Sequence, residues 1–347
     1  MTRATLTLTR TCNNRCVFCA QEGLEPIVEA EAIHSLRAVA ESAKEITFVG
    51  GEPTLRADLP ALIAAARTLG FERVGLQTNA RRLSEVALVE QLTSAGLTDL
   101  HVTVLGAEPA VHDFHTGAEG SFRELVAGVA AVRARGVTVV ATTVLTRSNY
   151  RVLNAVPPLL ASLGVSAWHV TTPLVAGRAV KGMDPVVPRL ALAMPYALHA
   201  LAAAQKLGLR AVVSGAPWCL LGPFATQTIP SARRAFAPPC EACPVRDRCP
   251  GVDAPYLARF GDDELAPLTS APVAAPLDAT TRLFTGPGET WVPANIDVPA
   301  PPSTVRAGIP SLGKGTPAAA EVSGPARKSG DALKTIFPEL FKPEEKG

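Results

Sequence analysis

Cys12, Cys16 and Cys19 stand at C-x3-C-x2-C spacing, directly after the first strand-like segment. Three thiolates so grouped suit a cubic iron–sulfur cluster in which one iron keeps no protein ligand. An open coordination position is what separates a reactive metal site from a structural one. Zinc is the competing structural reading. It normally takes four ligands, however, and the next histidine, His34, lies in a helical pattern. The other four of the seven cysteines, Cys219, Cys240, Cys243 and Cys249, cluster two hundred residues further on.

Two polar groupings fall where such a site needs them. Gly50-Gly51-Glu52-Pro53 follows the second strand-like run. Paired glycines let the backbone approach a ligand with no side chain in the way, and exposed backbone groups there suit the ammonium of an amino acid. Gln77-Thr78-Asn79 closes the third run with polar side chains at the same rim, as ribose contacts or as a polar strand-to-helix turn. Phe18, immediately before the third cysteine, is placed to lie beside a cluster and to pack on an adenine face.

The elements that must position these residues alternate along the chain. Apolar, β-branched runs predict strands at Thr5–Thr9, Glu45–Val49, Arg73–Gln77, Asp99–Val104, Val137–Thr143 and Ser166–Val170. Helical spacing predicts helices at Val28–Ala43, Leu59–Leu69, Leu83–Ala95, Phe122–Arg135 and Asn149–Leu163, the last four closed by Gly70, Gly96, Gly136 and Gly164. Such alternation implies βαβ crossovers and a parallel sheet. The expected fold class is α/β, a partial (β/α)6 TIM-like barrel with ligands at the carboxyl ends of the strands. A long Ala/Leu stretch, Leu190–Leu207, then leads to the second cysteine group.

Residues 1–185 are expected to form the barrel, 186–265 a helix with a small cysteine-rich extension, and 266–347 a tail. Thirteen of the 31 prolines fall in that last segment, a composition that buries too little apolar surface to fold alone, so it is read as mostly disordered. Near its end, Leu333, Ile336, Phe337, Leu340 and Phe341 share one short apolar face, read as a turn of helix docking on its own barrel or as a partner motif.

Bulk properties narrow the class. An apolar fraction of 47% supports a sizeable core, and a net charge of +2 without a long Lys/Arg run gives no nucleic-acid face. The amino-terminal residues hold no secretory apolar core, and no uninterrupted apolar stretch of about 18 residues spans a bilayer. A cytoplasmic, reducing location follows, where clustered cysteines hold metal more often than they form disulfides.

Cys-Asn-Asn-Arg-Cys-Val-Phe-Cys, Gly-Gly-Glu-Pro and Gln-Thr-Asn-Ala together resemble the radical S-adenosylmethionine superfamily, over roughly residues 5–180. The stretch from His101 through His112-Asp113 to Phe122, and Pro173 to Ala179, are similar to later parts of such enzymes. The resemblance implies that Cys12, Cys16 and Cys19 bind a 4Fe–4S cluster whose fourth iron takes the amino and carboxylate groups of S-adenosylmethionine. It implies that Gly50, Gly51 and Glu52 hold the methionine end of that cofactor, and that Gln77, Thr78 and Asn79 lie at the same rim. Thr103 stands where these enzymes often have serine, with the hydroxyl kept. Arg178 is read either as binding a carboxylate or as an ordinary ion pair. One electron then cleaves the sulfonium–carbon bond, and the 5′-deoxyadenosyl radical takes a hydrogen atom from a substrate held about 3–3.5 Å away. The protein's part is geometry and the exclusion of water.

The second group, Cys240, Cys243 and Cys249 at C-x2-C-x5-C with Cys219 upstream, resembles the SPASM or Twitch auxiliary-cluster extensions. Four cysteines allow one further 4Fe–4S cluster, closed or with an open iron, while zinc is satisfied by the same four thiolates. Peptide modification or maturation is the favoured activity. Cofactor or small-molecule biosynthesis is the alternative, and a non-catalytic iron–sulfur or zinc protein is the reading from another class. A flavodoxin- or ferredoxin-type reductant is implied. His101 and His169 are read as core or hydrogen-bonded residues, and His112, Asp113 and His115 as acid–base or structural groups.

Overall fold

The computed structural model describes residues 3–22, 32–229 and 235–272, together with Phe284. Seven parallel strands lie in sequential order: β1 (Arg3–Thr9), β2 (Glu45–Gly50), β3 (Arg73–Thr78), β4 (Asp99–Thr103), β5 (Thr138–Val144), β6 (Ala167–Thr171) and β7 (Arg210–Ser214). The helices between them are α1 (Ala32–Ala40), α2 (Leu59–Thr68), α3 (Val86–Ser94), α4 (Pro109–Thr116), α5 (Ser121–Arg133), α6 (Val156–Ser162), α7 (Arg178–Lys181), α8 (Met183–Val186) and α9 (Leu190–Lys206). A short α10 (Ala254–Phe260) lies in the extension.

Strand alternation divides the interior in two. Leu8, Phe48, Leu76, Val102, Ala141, Trp168 and Val213 join the buried helix residues in one large apolar cluster. Each fully buried side chain of that size contributes about 1.5–3 kcal/mol. The opposite parity is different. Val140, Ala167, Val212, Ile229 and Phe284 form a separate small cluster on the inner face. Beside them, the inner face of the first four strands is polar. Arg3 donates to Thr47 Oγ1 at 2.7 Å and to Glu45 at 3.0 Å, and it pairs with the buried carboxylate of Asp99. Residues of all seven strands line one cavity.

The sequence predicted six strands; β7 is a seventh, paired in parallel with β6 from Ala167↔Arg210 to Thr171↔Ser214. It escapes a periodicity reading because a strand of five residues, set between Gly208 and Gly215, offers almost no pattern. The single helix expected over Asn149–Leu163 is a 3-10 turn at Tyr150–Ala155 followed by α6, since Pro157 and Pro158 have no N–H to continue an earlier helix. Of the helix expected over Val28–Ala43, α1 covers Ala32–Ala40, Glu41–Ala43 form a turn closed on Val39 O, and residues 28–31 lie outside the described residues. So do most of 266–347 and the apolar face at Leu333–Phe341.

Met183–Lys206 is long and apolar enough, by length and composition, to cross a membrane. Half of its most apolar window is buried within the protein, with Ala193, Ala197, Ala200, Leu201 and Ala204 in the main cluster. That is the burial of a core helix.

Candidate active site

The cysteine loop leaves β1 and is fastened to four different elements. Gly51 N donates to Thr9 O and Glu52 N to Thr11 O, each at 2.8 Å, which fixes the start of the loop against the end of β2. A methyl group on Gly51 would overlap the Thr11 carbonyl, so glycine is needed here for the loop's own backbone. Arg15 N and Val17 N donate to Thr116 O and His115 O at 2.7 and 3.0 Å, docking the loop on the carboxyl end of α4. Arg178 donates from Nη1 to Cys16 O at 2.8 Å, and its backbone N–H to Cys19 O at 2.8 Å. A side chain on Gly177 would again strike the Cys19 and Ala20 carbonyls.

The end of β3 completes the frame. Asn79 Nδ2 donates to Asn13 Oδ1 at 2.7 Å, and Arg81 donates to Asn13 O at 2.6 Å and to Asn14 Oδ1 at 3.1 Å. Glu52 is fully buried and does not face the cavity. Its carboxylate accepts four hydrogen bonds: from Thr54 N, Thr54 Oγ1, Thr78 Oγ1 and Asn79 N, at 2.5–3.1 Å. Burial pushes its carboxyl above the ordinary value, and those four donors pull against the rise. The side chain therefore sets the geometry of two strand ends.

One cavity of about 460 Å³ gathers most of the residues singled out from the sequence. Cys12, Cys16, Phe18 and Cys19 face it from the loop, Gly50 and Gly51 from β2, and Gln77, Thr78 and Asn79 from β3. Thr103 faces it from β4 and Arg178 from α7. Arg178 is also paired with Glu22 at 3.0 Å, the ion pair being what the geometry shows.

Burial holds the Cys12 thiol above its ordinary value, and it pushes Cys16 up to about 12, with Cys19 and Cys12 adding to the effect. Uncomplexed, these thiols stay protonated; a bound cation reverses that balance. Among the described residues no three His, Cys, Asp or Glu side chains are grouped to share a single ion. In a cubic cluster each thiolate holds a separate iron corner.

The wall across β5, β6 and β7 was not singled out from the sequence as a site. His169 Nε2 lies 2.8 Å from Ser214 Oγ, Ser214 donates to Thr171 Oγ1 at 2.9 Å, and Thr171 donates to Thr172 O at 3.2 Å. Since the Ser214 proton is used on Thr171, Ser214 accepts from His169 Nε2–H. Nδ1 is left as the acceptor near Thr142 Oγ1, at 3.5 Å. Burial lowers the His169 pKa to about 3, so the ring is neutral. The donors of this chain are spent internally, and the wall offers mainly lone pairs to the cavity.

The histidines of α4 are structural. His115 donates from Nδ1 to Val111 O and accepts Thr146 Oγ1 at Nε2, both at 2.6 Å, while His112 Nδ1 accepts Leu105 N at 3.2 Å. Asp113 accepts Gly120 N and Phe122 N at 2.8 and 2.7 Å, anchoring the start of α5. His101 lies 3.3 Å from Asp99 on β4.

The four later cysteines line a second, smaller cavity together with Trp218, Phe236 and Val245. Cys249 Sγ accepts Trp218 N at 3.5 Å and Gly251 N at 3.4 Å. Burial raises the Cys219 thiol, with Cys249 and Cys240 near enough to add to it. Gly251 and Val252 line both cavities.

Residues 6–151 match the model of the radical SAM superfamily. Members of that superfamily are enzymes, and the match implies a 4Fe–4S cluster and S-adenosylmethionine as cofactors. The chain is 30% identical over 180 residues to the AdoMet-dependent heme synthase of Oleidesulfovibrio alaskensis, covering 50% of this chain and 46% of that protein. It is 34% identical over 139 residues to the GTP 3′,8-cyclase of Tolumonas auensis, covering 38% of this chain and 40% of that one. It thus spans about half or less of these relatives' length. Among solved structures, Streptococcus suis SuiB bound to S-adenosylmethionine matches with a TM-score of 0.52 at 15% identity, over 68% of this chain and 53% of SuiB. That match is of fold.

Proposed function

We propose that this protein is a radical S-adenosylmethionine enzyme that modifies or matures a peptide. Cys12, Cys16 and Cys19 would hold the 4Fe–4S cluster, with the cofactor against Gly50, Gly51 and the end of β3. The observation that carries the reading is convergence: the cysteine loop and residues of all seven strands face one cavity. When bound, cluster and cofactor supply one-electron cleavage of a sulfonium–carbon bond and hydrogen-atom abstraction.

The residues present suit these groups. Gln21 Oε1 is a buried acceptor without a partner, facing the cavity beside Cys19, and it suits the exocyclic amine of adenine. Phe18 offers a ring face at the same rim. Arg178 holds the loop carbonyls rather than the cofactor. The β5–β7 wall, with lone pairs facing inward and a neutral His169, suits the N–H donors of peptide amides.

A second reading, synthesis of a cofactor from a small precursor, draws support from the heme synthase and GTP cyclase relatives. For the later cysteines the proposal is one auxiliary 4Fe–4S cluster, with zinc as the alternative. Gly251 and Val252 line both cavities, a proximity that suits electron relay. A flavodoxin- or ferredoxin-type protein would supply the electron. The test is spectroscopic. Adding S-adenosylmethionine to the reduced, reconstituted protein should change the electron paramagnetic resonance signal of the first cluster, and Cys12→Ala should remove that response. An unchanged wild-type spectrum contradicts the proposal.

A further inference from the structure

Arg10 is unlike every other charged residue facing the cavity. Glu22 and Arg178 pair with one another, and Asp253 accepts Val175 N at 3.1 Å. Arg10 faces the same space from the end of β1, its Nε is buried, and its guanidinium makes no hydrogen bond or ion pair with any described residue. Burying part of an unpaired guanidinium is costly, and removing its partner from such a group is among the more damaging changes a protein can suffer. A fold tolerates this where a ligand completes the pairing.

We infer that Arg10 is an oxoanion-binding residue of the cavity, gripping a carboxylate or phosphate of a bound ligand. The guanidinium is a planar fork of donors that matches two oxygens at once, and the low dielectric of a half-enclosed cavity strengthens such charge-assisted bonds. Its position reinforces the assignment. Arg10 precedes Thr11 and Cys12, and its carbonyl lies against Gly51, so its backbone is held by the same contacts that fix the cysteine loop. A ligand anion bound there would be placed with the accuracy of the loop itself. The inference deepens the proposed function and rests on it in one respect, that ligands enter this cavity. Two ligands of that reading carry the anion, the methionine carboxylate of the cofactor and an acidic group of the substrate.

The test compares wild type, Arg10→Gln and Arg10→Lys as full-length, cluster-loaded proteins under anaerobic conditions. Circular dichroism checks that each is folded. In one arm S-adenosylmethionine is titrated calorimetrically; in the other, glutarate and inorganic pyrophosphate are titrated with that cofactor already saturating. A loss of about tenfold or more in cofactor affinity for Arg10→Gln, partly restored in Arg10→Lys, assigns the anion to the cofactor. Cofactor affinity within about threefold of wild type, with probe binding weakened tenfold or more, assigns it to the substrate. No change in either arm overturns the inference. Release of 5′-deoxyadenosine from wild type is measured on the same samples. Its absence would count against the radical reading while leaving the anion result standing.

Discussion

Thr78 Oγ1 donates to the buried carboxylate of Glu52 at 2.6 Å, and this bond ties the end of β3 to the end of β2. Together with the bonds from Thr54 and Asn79 it makes Glu52 the shared anchor of both rims. Glu52→Gln keeps the volume but turns one acceptor into an NH2 group facing a donor. Losing buried partners in this way costs about 1–3 kcal/mol each. The expected result is a urea midpoint lowered by an amount in that range or above it, with weaker binding of S-adenosylmethionine. Stability and affinity both equal to wild type would show that the anchor is dispensable.

Asp99 governs acid stability from the inner face. Burial opposes its charge, but the hydrogen bond from His101 and the nearby Arg3 and Arg73 outweigh it, and the carboxyl lies below the usual carboxylate range. A depressed folded-state value means that the ionised group stabilises the fold above the unfolded value, near 3.9, and that this contribution fades as pH falls through the folded value. Asp99→Asn takes one of the two carboxylates from buried Arg3, leaving Glu45 as its remaining ionic partner, and should cost about 1–3 kcal/mol at pH 7. The gap between variant and wild type should narrow below about pH 4. Urea unfolding at a series of pH values checks this, and parallel curves would contradict it.

Much of this was legible in the order of residues. Six strands were readable because β-branched runs alternate cleanly with helical periods, and the carboxyl-end rim followed from parallel pairing. The cysteine triplet, Gly51 and Asn79 were visible as motifs. What escaped depends on partners distant in the chain. Nothing local marks Thr116, Arg81 or Gly177 as holders of the cysteine loop, since each acts on a backbone group many residues away. Glu52 enters the expected cofactor contacts only through the family resemblance, and no local pattern shows that its side chain turns inward to four donors. β7 and α4 were too short for periodicity to register.

Phe284 lies beyond the cysteine-rich extension, yet it is buried among Val140, Ala167, Val212 and Ile229. Its ring centroid is 5.3 Å from that of His169, so it backs the polar wall of the cavity. Phe284→Ala should lower stability by about 3–5 kcal/mol, read as a shifted urea midpoint. A shift below about 1 kcal/mol would mean that the inner face closes without this ring.

The two cysteine groups should load independently. Reconstituted wild type is expected to carry about eight irons, with about four remaining after Cys249→Ala and about four after Cys16→Ala. Four irons plus one zinc in wild type, with the zinc lost in Cys249→Ala, would assign the second site to zinc instead. Metal analysis of the three proteins decides between them.

The most direct measurement is the release of 5′-deoxyadenosine when the reconstituted protein is reduced anaerobically with S-adenosylmethionine. Wild type should form it, and Cys16→Ala should form none. A wild type that forms none, or a variant that forms as much, would contradict the assignment of radical chemistry to the cysteine loop.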